Sequence, residues 1–348
     1  LKILHLLKSN EYAGAEQVAL TLIDESVKRG NDVVYCSPNG AIKSVLVNRN
    51  IKYLQINKFT LSEVNSIISD FKPDIVHAHD FSASIMATLV SVFHKFRIVS
   101  HLHQNPKWLQ TVNFKSILHS IFLKKIDLTL VVSNAVIRGS KFLKKTPKVK
   151  VISNPLRPEL FEYFQRDENT EKVYDCMFVG RFEREKDPFL FIDVVNELKK
   201  IDPDVKAAMI GSGSLEEEMR KRISKLDLTS NVSLLGYLEN PYYLMSQTKV
   251  ACVTSDYEGF GLAAAEFAVL AVPIVTTENV GFIEFIDDKS YLISTKEDFV
   301  KSVVRILEDE STYNEMLAAS KKNYQKLSGK NIGEEMQSLY LNVIGSKL

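Results

Sequence analysis

The hydrophobic positions of this chain fall into short apolar runs separated by amphipathic stretches. Residues 3–7, 32–36, 53–56, 74–78, 97–102 and 128–132 are runs rich in Val, Ile and Leu, the pattern of strands buried on both faces. Between them, 15–28, 61–71, 82–93 and 114–125 carry apolar residues at helical spacing. The alternation returns downstream, with strands expected at 175–179, 205–210, 232–235, 250–254 and 273–276. Helices are expected at 188–199, 215–226, 242–246, 262–270 and 332–344. Repeated strand-helix units mean parallel sheets covered by helices on both faces. The opening run 1–7 has no cleavage region behind it and reads as a first buried strand, not a signal peptide.

Two such sets in 348 residues predict two Rossmann-like, doubly wound α/β domains. The first is expected over 1–160 and the second over 161–331, with the helix of 332–348 closing the second or crossing back onto the first. Asn154-Pro155 and Arg157-Pro158 punctuate the junction, and 165–170 is polar. Ligands of such sheets bind at the carboxyl ends of the strands.

Hydrophobic content of 45% and charged content of 25% are those of an ordinary globular protein, and no run reaches a transmembrane span of about 20 residues. Cys36, Cys176 and Cys252 all sit in strand-like runs, which fits a reducing, cytoplasmic setting better than a disulfide framework. The net charge of +1 hides an asymmetry: residues 1–155 carry 21 Lys and Arg against 10 Asp and Glu, and residues 156–348 carry 23 against 33. A basic first half suits an anionic surface or substrate, or simply attraction between two domains.

The candidate chemistry lies at strand ends. Glu258-Gly259-Phe260-Gly261-Leu262 joins a strand to a helix, with Glu266 about two turns further on. Two glycines permit close backbone approach, and the N–H groups of a first helical turn favour an anion such as phosphate. A carboxylate on each side of a phosphate cradle suits a ligand with hydroxyls flanking a diphosphate, which describes a nucleotide-sugar. Gly180-Arg181-Phe182 ends another strand, and Lys186 follows, so a guanidinium fork and an ammonium can reach one diphosphate. Gly211-Ser212-Gly213-Ser214 and Gly236-Tyr237-Leu238 follow two more strands as weaker signals. Asp202-Pro203-Asp204 lies at the amino end of a strand and reads as a turn, not a metal site; no Cys/His spacing resembles a zinc site.

The pair Glu258 and Glu266, seven residues apart around Gly-Phe-Gly-Leu, resembles the E-x7-E signature of retaining glycosyltransferases of the GT-B fold, in particular glycosyltransferase family 4. Arg181 and Lys186 resemble that family's G-R-x4-K element. The resemblance spans the chain and implies two Rossmann-like domains facing a central cleft, the first binding acceptor and the second the donor. It implies that Arg181 and Lys186 hold the diphosphate and stabilise its leaving charge, that Glu266 binds ribose, and that Glu258 lies near the donor sugar. Gly211, Tyr237, Leu238, Gly259, Phe260, Gly261 and Leu262 would line the nucleotide. Ala13-Gly14 resembles the family's Gly-Gly loop with its first glycine replaced. The family places a histidine near the donor sugar at the end of the strand 97–102; the register selects His103, with His101 as the alternative, while His77 and His79 are assigned packing roles.

The implied activity is retaining transfer of a hexose or N-acetylhexosamine from a nucleoside diphosphate, UDP favoured, to an acceptor hydroxyl on a carbohydrate or lipid-linked saccharide, in surface polysaccharide or glycolipid synthesis. No metal, cofactor or nucleic acid is expected. The competing reading is a non-catalytic nucleotide-sugar-binding subunit. An epimerase is disfavoured by the two glutamates, and a dehydrogenase by the lack of G-x-G-x-x-G after the first strand. Basic residues from Lys107 to Lys150 interleave with Trp108, Phe114, Ile117, Leu118, Ile121, Phe122 and Phe142. That stripe either packs on the sheet or rests on the inner face of an anionic membrane.

Overall fold

The apolar runs form two sheets whose described strand pairs are all parallel. The computed structural model describes residues 1–104, 106–109, 111–146, 148–156, 160, 172–278, 281–328 and 331–345. Two units separate by their contacts: Leu1–Pro155 with Asn331–Leu348, and Leu156–Lys330. The boundary expected at 160/161 adjoins residues outside the described set.

In the first unit the strands are β1 (Lys2–Leu6), β2 (Asp32–Pro38), β3 (Tyr53–Ile56), β4 (Ile75–His79), β5 (Arg97–Leu102), β6 (Leu128–Val131) and β7 (Val149–Val151). Their order is β3-β2-β1-β4-β5-β6-β7, so the winding reverses between β1 and β4. Leu4, Val34, Val76 and Val99 are fully buried, as strands covered on both faces require. Helix Ile332–Gly345 packs on helix Gly14–Lys28 of this unit. Polar contacts fix it there: Arg29 donates to Asn331 Oδ1 at 2.9 Å, and Asn31 donates to Gln337 Oε1 at 2.7 Å.

The second unit holds β8 (Tyr174–Val179), β9 (Ala207–Ile210), β10 (Val232–Gly236), β11 (Thr248–Val253), β12 (Ile274–Thr276) and β13 (Tyr291–Ile293), in the order β10-β9-β8-β11-β12-β13. This is the doubly wound Rossmann order, with its switch between β8 and β11. Cys176, Phe178, Phe191, Met209, Val250 and Phe299 belong to its core. Helix Pro188–Ile201 starts as its sequence dictates: Pro188 opens the first turn and the Asp187 side chain accepts from Leu190 N–H at 3.2 Å.

Elements also form where none was expected. β7 and β13 are three-residue strands, too short to carry a period. Helices Phe299–Glu308 and Glu310–Ser328 cover the second unit, and the first of these buries Phe299, Val303 and Ile306 on one face. Helix Asp80–Val90 begins two residues before the expected 82, directly after β4, with Asp80 turning the chain at a left-handed φ of 65°.

The basic stripe resolves into two faces. Helix Phe114–Leu123 buries Ser116, His119 and Leu123 towards the unit, and Trp108 packs edge-on against Phe81. Phe114, Ile117 and Ile121 face solvent at 79, 45 and 56% exposure. Among the described residues no helix is long and apolar enough to cross a membrane.

Candidate functional site

In the second unit, β8 and β11 are the neighbours at which the sheet reverses direction, and ligands of such sheets bind outside the carboxyl ends of the strands at that point. The loop after β8 carries Arg181 and Lys186, and the loop after β11 carries Glu258. The two loops are stitched together. Thr254 Oγ1 donates to Lys186 O at 2.8 Å, and Asp256 N–H donates to Glu185 O at 2.9 Å. Lys296 pairs with both Asp187 and Asp256, at 2.5 and 2.7 Å.

Lys186 Nζ lies 2.7 Å from Glu258 Oε1, and both side chains are largely shielded. The Ser255 hydroxyl donates to the same carboxylate oxygen at 2.7 Å. Ion pair and hydroxyl together fix the positions of the Glu258 carboxylate and the Lys186 ammonium. Arg181 is half-exposed and pairs with Glu185 at 2.5 Å. Such an exposed pair contributes little stability, which leaves the guanidinium cheap to redirect towards a stronger anion.

Gly261 caps helix Leu262–Val269 with φ of 94°, a conformation natural to glycine, and the first-turn N–H groups of the helix follow it. Glu266 sits in the middle of this helix at 7% exposure, and the Tyr242 hydroxyl donates to its Oε1 at 3.3 Å. A carboxylate this buried inside an otherwise Ala- and Phe-rich helix costs solvation, which its hydrogen bonding offsets. The Phe260 ring is not part of a ligand wall: it is 3% exposed and packs on Phe282 and Phe285. The Phe260 carbonyl accepts from Phe282 N–H at 2.7 Å.

Gly211 serves the loop after β8 directly. Its φ is 146°, and a Cβ there would stand 1.9 Å from Gly180 O. Phe182 N–H donates to Ser212 O at 2.9 Å, and Leu215 N–H to Phe182 O at 3.0 Å, so the loop after β9 is a template for the Arg181 loop. Tyr237, exposed, and Leu238, half-buried, follow β10 on the same carboxyl edge. Asp202 accepts from Asp204 N–H at 3.0 Å, an Asx turn on the opposite edge, which removes that pair from the site.

The first unit has its own switch point. Gly14 opens helix Gly14–Lys28 and is exposed, while Ala13 N–H donates to Glu16 Oε2 at 3.2 Å. Leu7, Lys8, Ser9, Ala15, Glu16, His79, Asp80 and Ser82 line a cavity of about 340 Å³ there. Burial raises the Glu16 carboxyl above its ordinary range and pushes Asp80 up to about 7. His103 follows β5, but its ring is buried and meets His79 Nδ1 through Nε2 at 2.9 Å. Desolvation lowers both His5 and His103 to about 3, so these rings stay neutral. Sequence reasoning passed over His5, Asp80 and Tyr242. Asp80 had a readable signal, as the acidic residue directly after a buried His-x-His strand.

The comparisons extend these observations. Residues 12–160 match the model described as Glycosyltransferase Family 4, and residues 161–323 match the one described as Glycosyl transferases group 1. An N-acetylgalactosaminyltransferase of Campylobacter jejuni that acts on an undecaprenol-linked saccharide is 21% identical over 99% of both chains. The O-antigen biosynthesis glycosyltransferase WbnH of Escherichia coli is 26% identical over 58% of this chain and 54% of its own. The chain spans 58 and 54% of the length of the first curated relatives it matches. Among solved structures, Anabaena HepE with UDP-glucose superposes at a TM-score of 0.81 and 18% identity, over 98% of this chain and 99% of that one.

Fold and family models together define a chain of the glycosyltransferase class with the GT-B fold. Within that class it resembles glycosyltransferase family 4.

Proposed function

We propose that the chain is a retaining glycosyltransferase that moves a hexose or N-acetylhexosamine from a UDP-sugar to an acceptor hydroxyl of a carbohydrate or lipid-linked saccharide. The observation that carries this reading is the coupling of Lys186 to Glu258 at 2.7 Å, one helix start away from the buried Glu266. Arg181, Lys186 and the N–H groups after Gly259 would grip the diphosphate, with Gly211 shaping the loop that holds Arg181. Glu266 would bind the ribose hydroxyls, Glu258 the sugar, and Tyr237 and Leu238 the base. Two cations and a helix start supply the charge stabilisation that a leaving diphosphate needs, so transfer without a metal at the diphosphate is part of the proposal. Retention follows the family resemblance, in which the leaving phosphate takes the acceptor proton on the face from which it departs. His103 near the sugar and Gly14 near the acceptor also rest on that resemblance. UDP is favoured because HepE is described with UDP and UDP-glucose. Surface polysaccharide or glycolipid synthesis is favoured by the names of the relatives.

The test is transfer from UDP-glucose and UDP-N-acetylhexosamines to oligosaccharide and polyprenyl-linked acceptors in EDTA, with the product's anomeric configuration read by NMR. Retained configuration and undiminished rate in EDTA are expected. An inverted product, or transfer only after a divalent ion is restored, would sink the mechanism. Lys186→Gln should weaken UDP binding by about 10- to 100-fold, because it removes a charge-assisted contact; calorimetry giving wild-type affinity would remove Lys186 from the diphosphate.

The exposed Phe114, Ile117 and Ile121, with Lys115, Lys124 and Lys125 beside them, form an amphipathic surface suited to anionic lipid. Vesicles containing phosphatidylglycerol should float the protein at low salt. The triple change Phe114→Ser, Ile117→Ser, Ile121→Ser should abolish flotation. Equal flotation of that variant would remove this helix from any membrane contact.

A further inference from the structure

Three neighbouring strands of the first sheet place five histidines on one face. His5 lies on β1, His77 and His79 on β4, His101 on β5, and His103 just beyond it. Residues two apart share a face of a strand, and the register sets His5 against His77 and His79 against His101. The rings stack, with centroids 4.5 Å apart for His77 and His79, 5.1 Å for His79 and His103, and 4.3 Å for His101 and His103. All five are buried.

A core face of imidazoles is costly unless its nitrogens are paired. Here pairing is incomplete. His5 Nδ1 meets His79 Nε2 at 3.0 Å, His79 Nδ1 meets His103 Nε2 at 2.9 Å, and His77 Nε2 meets His101 Nδ1 at 3.3 Å. His77 Nδ1 meets the Tyr340 hydroxyl at 2.7 Å. His5 Nε2, His101 Nε2 and His103 Nδ1 are buried without a partner.

We propose that His79, His101 and His103 bind a late first-row divalent cation of the Zn²⁺ type, at a site in the first unit that shares only His103 with the residues assigned to the donor. One ring nitrogen from each lies within 4.8 Å of the others. A tetrahedral ion with Zn–N bonds of about 2.0–2.1 Å sets its nitrogens roughly 3.3 Å apart, so small ring rotations close the set. Imidazoles alone suit Zn, Ni, Cu or Fe and not Mg or Ca, and among the described residues no carboxylate joins the group. The neighbouring triad His5, His77, His79 is the poorer host. In it two rings, His77 and His79, have both nitrogens engaged and one nitrogen is unpartnered, whereas in the proposed triad only His79 is fully engaged and two nitrogens are unpartnered. The cavity supplies a route: His79 lines it beside Asp80 and Glu16, and Asp80 Oδ1 accepts from His103 N–H at 3.0 Å. The inference does not rest on the transferase reading.

The test uses untagged full-length protein, stripped with chelator, then given Zn²⁺ or Co²⁺ and desalted. About one ion per chain is expected by mass spectrometry, with the intense ligand-field bands of tetrahedral Co²⁺. His101→Ala should weaken binding by more than about 100-fold, because losing a ligand exceeds the effect of losing its supporting partner. His5→Ala removes only the partner of His79 Nε2 and should cost less, about 10-fold. Circular dichroism checks that each variant folds, and if His101→Ala does not, the wild-type Co²⁺ spectrum decides alone. No retained ion, weak octahedral bands, or His101→Ala binding like wild type would overturn the site. The response to UDP is read on the second unit and bears only on the transferase proposal.

Discussion

Glu266→Ala is expected to abolish the thermal stabilisation that UDP gives the wild-type protein. The carboxylate is 7% exposed and held by the Tyr242 hydroxyl, so it is fixed before any ligand arrives. A hydrogen bond to a charged group contributes about 1.5–3 kcal/mol, and two ribose hydroxyls on one carboxylate lose roughly 3 kcal/mol or more when it is removed. At 1.4 kcal/mol per tenfold, that is a loss of about 100-fold in affinity. A ligand's stabilising effect follows its concentration relative to Kd, so the shift should vanish at UDP levels that saturate the wild type. Glu266→Gln keeps the shape and should fall between the two. Tyr242→Phe removes the support but not the carboxylate and should cost less than about tenfold. Melting each variant without ligand separates a folding defect from a binding defect. A Glu266→Ala protein that folds and responds to UDP as wild type does would move the ribose elsewhere.

The parts of this site that were legible were those with a local rule. Glycines next to strand ends, a good helix former after them, and two glutamates at a fixed separation lie within a dozen residues, and their pattern survives in one dimension. Arg181 and Lys186 were legible for the same reason. What could not be read was which residue each would meet. Lys186 pairs with Glu258 across 72 positions of sequence because β8 and β11 are neighbours in the sheet, and strand order is not written in either strand's apolar pattern. The Phe260 ring shows the converse limit. It sits amid the motif, yet packing against Phe282 and Phe285 takes it into the core.

The five-histidine face was half legible. His77-x-His79 and His101-x-His103 alternate with period two, which marks one face of two strands. His5 is alone in its strand and joins them only through the order β1-β4-β5. The two helices over residues 299–328 escaped for another reason. The first has a clear apolar face, but no Gly, Pro or cap residue comparable to Asp187-Pro188 announces it, and Asp298 makes no side-chain cap to its first turn.

Gly211→Ala should be the most destabilising single change in the second unit that leaves every charged group in place. Two separate costs add. The backbone φ of 146° is one that side chains other than glycine rarely adopt, worth about 1–3 kcal/mol. The added methyl would stand 1.9 Å from Gly180 O, which is backbone and cannot swing aside. Relieving that overlap by moving the loop costs a further 1–3 kcal/mol or so, for a total of about 4 kcal/mol in urea unfolding. Gly30→Ala is the control, with φ of 78° and open space at its Cβ, and should cost only about 1 kcal/mol. The movement that relieves the clash carries Arg181 with it, because Phe182 N–H is bonded to Ser212 O. Folded Gly211→Ala protein should therefore also bind UDP more weakly, although residue 211 contributes no side chain to the ligand. Stability lost with UDP affinity intact would separate the template loop from the donor grip. Stability unchanged would mean that the loops after β8 and β9 do not pack as closely as 1.9 Å implies.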